Sequence, residues 1–220
     1  MCRFLLVRYE KSINPQPLLQ EFANMCEKSR APDGDWQGDG YGIAWMENGA
    51  WQLTKSLTPI WESQESFSHV SETKMLVVHA RSAGFPQHKG NIEFNQPYIR
   101  DSLCFVFNGM VRGVKLSMPL EGAIGAQKIF SLIKILLKKE TPETALKIVD
   151  ELLRNNTTEI VGMNIGLVQN VTFHILCEYA DNADYFGVRY FKDNGLTLVC
   201  SQPIGDFRWK IMKRGEVRKI

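Results

Sequence analysis

The chain has 220 residues, 44% of them hydrophobic and 23% charged, with a formal net charge of +2. That balance matches an ordinary globular protein and gives no electrostatic ground for a nucleic-acid partner. No apolar run approaches the roughly 18 residues of a membrane span, and "FLLV" between Arg3 and Arg8 is too short for a secretory signal. The five cysteines, Cys2, Cys26, Cys104, Cys177 and Cys200, form no C-x-x-C pair and have no histidine at ligand spacing. Neither a zinc site nor a disulfide framework is indicated, and a reducing, cytoplasmic location is expected.

"CRFLLVRY" predicts a buried first strand, and Leu18, Leu19, Phe22, Met25 and Cys26 then recur at helical spacing. After the loop "APDGDWQGDG", the segments "YGIAWM" and "AWQLTKS" flank Asn48-Gly49 and read as a hairpin, because Asn-Gly supplies the positive φ angles of a tight turn. "PIWESQESFSHV" predicts a short helix, "KMLVVHARSAG" a buried strand, and "SLCFVFNG" another strand beyond a polar connection at 87–97. "EGAIGAQKIFSLIKILLKKE" predicts a long amphipathic helix in which Lys134 and Lys138 share a solvated face, an arrangement that needs no phosphate ligand. "TPETALKIVDELLRN" predicts a further helix with Thr141 as N-cap and Pro142 in its first turn. "IVGMNIGLVQ", "VTFHILCEY", "DYFGVRYFK", "LTLVCSQ" and "GEVRKI" predict the closing strands. Strands, central helices and again strands indicate an α+β fold in which helices cover sheets, as a single domain over 1–220.

Several short stretches carry candidate chemistry. Cys2 directly follows Met1, and removal of the methionine would leave a thiol and a free α-amine on one residue, a known way to activate a nucleophile without histidine. Each stretch also has a plainer reading: Cys2 as a core cysteine, Arg81 as a surface charge, Gly38, Gly40 and Gly42 as loop glycines, and Asn108-Gly109 as a hairpin turn. "DGDWQGDG" superficially matches a calcium loop, but Gln37 and Ala44 stand where ligands are required. His79 on its apolar strand reads as a hydrogen-bonded core residue, and Trp36 as packing or as a cover over substrate.

Together, "MC", "GDGYGIAW" at 38–45, "HARSAGFP", "NQPY" and "CFVFNG" within 79–109, and "SQPIGD" at 201–206 resemble the stand-alone class II glutamine amidotransferase domain of the N-terminal nucleophile hydrolase superfamily. The resemblance implies a four-layer α/β/β/α sandwich of two mainly antiparallel sheets. It implies Cys2 as nucleophile with its own α-amine as base, the Asn108 side chain and Gly109 N–H as oxyanion donors, and Arg81 as the group that holds a substrate carboxylate. The expected reaction cleaves glutamine, a γ-glutamyl amide or another carboxamide through a Cys2 thioester, releasing ammonia or an amine, with no metal or organic cofactor. The implied partners are a small-molecule amide and a separate ammonia-using or peptidase protein, with no nucleic acid and no membrane. The alternative is an impaired amidotransferase-like protein that binds or regulates.

Four positions depart from the family pattern. Phe107 replaces the histidine before Asn-Gly, Gly84 stands where a hydroxyl residue is common, and Gly125 and Gln127 replace acidic residues. Gly125 offers no carboxylate to a substrate ammonium. Amides whose α-amine is blocked or absent are therefore expected to outperform free glutamine, unless Glu121 in the preceding turn substitutes.

Overall fold

A computed structural model describes residues 1–220. The first half of the chain forms β1 (Arg3–Ile13), α1 (Gln16–Lys28), β2 (Tyr41–Glu47), β3 (Ala50–Ser56), β4 (Thr73–Ala80), β5 (Tyr98–Arg100) and β6 (Leu103–Arg112). The second forms α2 (Gly125–Leu136), α3 (Pro142–Asn155), β7 (Glu159–Gln169), β8 (Thr172–Cys177), α4 (Ala183–Phe186), β9 (Arg189–Asp193), β10 (Leu196–Cys200), β11 (Lys210–Ile211) and β12 (Glu216–Lys219). Two sheets result, one of seven strands in the order β11-β9-β10-β1-β4-β2-β3 and one of five in the order β12-β8-β7-β6-β5. Every strand pairing is antiparallel.

β1 shows how sequence becomes layers. Side chains alternate across a strand, so Phe4 and Leu6 face the other sheet and pack with Val106, Val168 and Phe173. Leu5 and Val7 face outward and pack with Leu19, Phe22 and Cys26 of α1. A strand buried on both faces has no polar positions to alternate, which is why "FLLV" is uninterrupted. On the opposite side, Ile129 and Ile133 of α2 and Leu146 and Val149 of α3 cover Phe105, Ile165 and Leu167 of the smaller sheet. The layers are therefore α/β/β/α, as the resemblance implied. No helix is long and apolar enough to cross a membrane.

The hairpin at Asn48-Gly49 forms with φ of 50° and 80°, and Thr141 caps α3 by accepting from Thr144 N–H at 3.3 Å. Three expectations need correction. The segment after Pro59 is two 3-10 turns, Ile60–Glu62 and Gln64–His69, instead of one helix. Ser63, Ser66 and Ser68 each donate to a carbonyl three or four residues back, competing with the α-helical ladder. "DYFGVRYFK" begins as the helical turn α4, closed by Gly187 N–H to Ala183 O at 2.7 Å, and only then enters β9. α2 starts at Gly125, four residues after the expected segment began at Glu121, because Gln127 Oε1 accepts from Ala123 N–H at 2.8 Å and fixes the entry.

Candidate active site

Cys2 lies at the mouth of β1, the strand held between β4 and β10. Its neighbour Arg3 is fully buried and fixes that end of the strand. The guanidinium donates to Ser29 Oγ at 2.9 Å, to Tyr185 O at 2.9 Å and to Ser201 O at 3.3 Å. Ser201 Oγ in turn accepts from Phe4 N–H at 2.9 Å, so the "SQPIGD" segment latches the start of β1. Cys2 Sγ lies 3.4 Å from the Ser82 N–H, which donates to it, and 3.5 Å from the Ser82 carbonyl oxygen. Burial pushes this thiol above its ordinary pKa, opposed by the chain-terminal ammonium, the Ser82 N–H and Arg81. The Met1 ammonium is bound to the Asp35 carboxylate, to which the Ser82 hydroxyl also donates. Burial would raise the Asp35 pKa, but those two hydrogen bonds override it and hold the group below the usual range.

Arg81 follows the end of β4, and its backbone is locked to the glycine-rich loop by Arg81 N–H to Gly40 O at 2.8 Å and Asp39 N–H to Arg81 O at 2.9 Å. Asp39 also accepts from Ala83 N–H at 2.8 Å and pairs with Lys89 at 3.2 Å. The buried Arg81 guanidinium donates to His88 O at 2.7 Å and Asn95 Oδ1 at 3.4 Å, both neutral oxygens. Gly40 and Gly42 are needed for close approach: a Cβ on the first would lie 2.3 Å from Ser56 O, and on the second 2.3 Å from Gln96 O.

Gln96 explains why the "NQPY" stretch matters. Its side-chain amide brackets the Phe107 peptide, accepting from Phe107 N–H and donating to Phe107 O at 3.3 Å. The same carbonyl takes His79 Nε2 at 3.1 Å. Burial drives the His79 pKa down to about 3, so the ring is neutral and Nε2–H is the donor. His79 is thus a bridge between sheets and not a base, as its strand position suggested. Asn108 and Gly109 follow, in the middle of β6 and paired with Asn164 and Met163 of β7, which rules out the turn reading. A Cβ on Gly109 would lie 2.0 Å from Gly162 O, so only glycine fits. Asn108 is fully buried, and neither its Oδ1 nor its Nδ2 has a hydrogen-bond partner.

Cys2, Arg81 and Gly109 line one cleft of about 330 Å³, together with Gly84, Gly125 and Lys128. Asn108 is not on the lining surface but sits between Phe107 and Gly109, which are. Arg81, Lys128 and His88 line the cleft, and no carboxylate does. Glu121 does not replace the missing acid at Gly125: it pairs with Lys134 at 2.8 Å and belongs to a separate groove beside Arg100. Trp36 does not cover the cleft, because it stacks on Trp61 at 4.3 Å and donates to Cys26 O at 2.9 Å. Asp35 lies outside the stretches that carry the resemblance, and Asp39, Asn95 and Gln96 lie inside them with no role legible from the sequence. Their only local signal is membership of, or nearness to, the glycine-rich and "NQPY" stretches.

No protein-family model matches the sequence, and no curated protein matches it. Solved structures do resemble it. A glutamine aminotransferase class-II domain protein from Silicibacter pomeroyi superposes with a TM-score of 0.65 at 16% identity, covering 100% of this chain and 94% of its own. Glutamine phosphoribosylpyrophosphate amidotransferase from B. subtilis gives 0.62 at 14% identity, covering 91% of this chain and 42% of its own. A predicted glutamine amidotransferase from Pseudomonas aeruginosa gives 0.53 at 14%, with 100% and 93% covered. With two antiparallel sheets stacked between helices, the chain has the α/β/β/α sandwich fold of these glutamine amidotransferase structures.

Proposed function

We propose that residues 1–220 form one amidohydrolase domain that cleaves a carboxamide through a thioester on Cys2 once Met1 has been removed. The α-amine of Cys2, with an unperturbed pKa of about 7.7–8.0, takes the thiol proton, and the thiolate attacks the amide carbon. Negative charge gathers on the carbonyl oxygen, toward the Gly109 N–H and the Asn108 amide, each donor contributing about 3–4 kcal/mol to the transition state. The carbon–nitrogen bond breaks as the α-ammonium returns its proton to the departing nitrogen. Water then attacks the thioester, the amine accepts its proton, and the acid leaves as the thiol is restored.

The observation that carries this reading is the pairing of Cys2 and Gly109 on one cleft with a buried Asn108 amide that has no partner. An unmet buried amide costs stability, and a ligand oxygen would repay it. Arg81, with only neutral oxygens around it, suits a substrate carboxylate. The absence of any carboxylate on the lining disfavours a substrate ammonium, so free glutamine is the poorer substrate. The cytoplasm, where the five free cysteines would stay reduced, and a separate partner that uses the released ammonia or supplies the amide, belong to the same reading.

The test is ammonia release from N-acetyl-L-glutamine by protein whose intact mass shows Met1 removed. Cys2→Ala is expected to abolish turnover, and undiminished release by that variant ends the hypothesis. A second reading, a binding protein without turnover, is favoured by how well Met1 fits: its ammonium is bound to Asp35 and its side chain packs with Ala31 and Phe186. Purified protein that retains Met1 and releases no ammonia would establish that second reading instead.

A further inference from the structure

We infer that the substrate's acyl half carries an apolar chain or ring, making the substrate class N-acylated or similarly tailed γ-carboxamides and not free amino-acid amides. The inference rests on the hydrolase reading above and gives its substrate a shape.

The cleft is polar near Cys2 and Arg81, where Ser82, His88 and Gln96 also line it, but from Met110 to Leu132 every lining side chain except Lys128 is apolar. Met110 comes from β6, Leu116, Met118 and Leu120 from the connection to α2, and Ile129 and Leu132 from α2. This wall is held in place: Glu121 N–H donates to Ser131 Oγ at 3.0 Å and Lys115 N–H to Asn156 O at 2.8 Å. At its rim Phe85 and Val114 remain 46% and 43% exposed, apolar surface that a partner of like character would cover. Gly125 leaves the space open, since a Cβ there meets nothing within 4 Å.

A volume of about 330 Å³ lies at the lower end of the range of about 300–1,000 Å³ for small-molecule sites. A free amino-acid amide would leave the apolar wall uncovered and its ammonium without a counter-charge, whereas an N-acyl group removes the ammonium and supplies the chain. The chain belongs to the acyl half because that half remains on Cys2 through both chemical steps. A tail on the departing amine would have to leave the cleft before water could enter.

The experiment uses the processed Cys2→Ala protein, which cannot turn over, and titrates it calorimetrically with N-octanoyl-L-glutamine and N-acetyl-L-glutamine. Six additional methylenes are expected to tighten binding at least about thirtyfold; a difference below about threefold would overturn the inference. Gly125→Trp, which fills the open space, and Val114→Lys, at an exposed site tolerant of change, are each expected to cut that ratio at least about fivefold. A ratio unchanged in both would also overturn it. Ile211→Ser, an exposed residue on the far edge strand β11, serves as the control and leaves the ratio as it was. Because binding is read without turnover, failure of wild-type protein to release ammonia from N-acetyl-L-glutamine would count against the hydrolase reading alone.

Discussion

The two walls of the cleft are built by opposite means. On the side of Cys2, backbone approaches backbone so closely that Gly40, Gly42 and Gly109 cannot be replaced by a larger residue, and Gln96, His79 and Arg3 bond mostly to main-chain atoms. On the facing side, from Met110 to Leu132, side chains are apolar, Gly125 faces open space, and charge enters only through Lys128. The first wall fixes atoms to within a hydrogen bond. The second fixes only polarity and volume. Chemistry needs the former kind of precision, whereas a hydrophobic pocket discriminates by only about 1–3 kcal/mol per methylene.

The contrast is tested most severely at Asn108. Asn108→Ala is expected to lower kcat by about 10²–10³, while the urea midpoint holds or rises, because the variant deletes a buried amide with no partner. A large loss of stability with little loss of rate would show that the amide is structural. Gly109→Ala comes next. Its methyl would meet Gly162 O at 2.0 Å, and overpacking of this kind costs about 1–3 kcal/mol or more, seen in calorimetry as a Tm lower by about 2–4 °C for each kcal/mol. An unchanged Tm would mean that β6 and β7 part easily.

His79 gives the rigid wall a pH signature. Its pKa is about 3 in the folded chain against about 6.5 unfolded. Between those values the unfolded chain binds more protons, so this contribution is complete above pH 6.5 and is lost as pH falls toward 3. The loss amounts to about 2 kcal/mol between pH 6.5 and 5. His79→Gln, which keeps a donor for Phe107 O, is expected to flatten the denaturation midpoint over that interval, with a residual slope from His174, whose pKa burial also lowers. An equally steep midpoint in the variant would remove His79 as the cause. The smallest effect belongs to the apolar wall: Gly125→Asp is expected to raise kcat/KM for free glutamine about tenfold relative to N-acetyl-L-glutamine, about 1.4 kcal/mol. An unmoved ratio would show that the substrate ammonium does not reach this position.

Most of the fold was legible because its signals are local. The Asn48-Gly49 turn, the helical spacing from Leu18 to Cys26 and the cap at Thr141 each act within a few residues. The helical turn at Ala183–Phe186 and the three-residue strand β5 were not read, being too short for a period to show. For the site, Cys2, Arg81, Asn108 and Gly109 were visible through resemblance, and three of them do line one cleft. Their supports were not. Asp35 meets the chain terminus across 34 residues, and Gln96 grips Phe107 across 11. Such roles exist only once distant segments have been brought together. The apolar wall was hidden for another reason: Leu116, Met118 and Leu120 lie outside any helix or strand, so no periodicity marked them as a surface.

The clasp between Met1 and Asp35 also sets a deadline. In the folded chain Met1 is 8% exposed and its ammonium is tied down, so an aminopeptidase that needs an extended, accessible terminus would find none. β1 is closed on one side by β10, made about 190 residues later in synthesis, and until then the terminus trails free of the ribosome. On the proposed reading, in which Met1 must be removed, trimming competes with folding. Under that reading, molecules that fold first keep a blocked amine, and peptidase added afterwards is expected to recover them only at the rate at which β1 peels away.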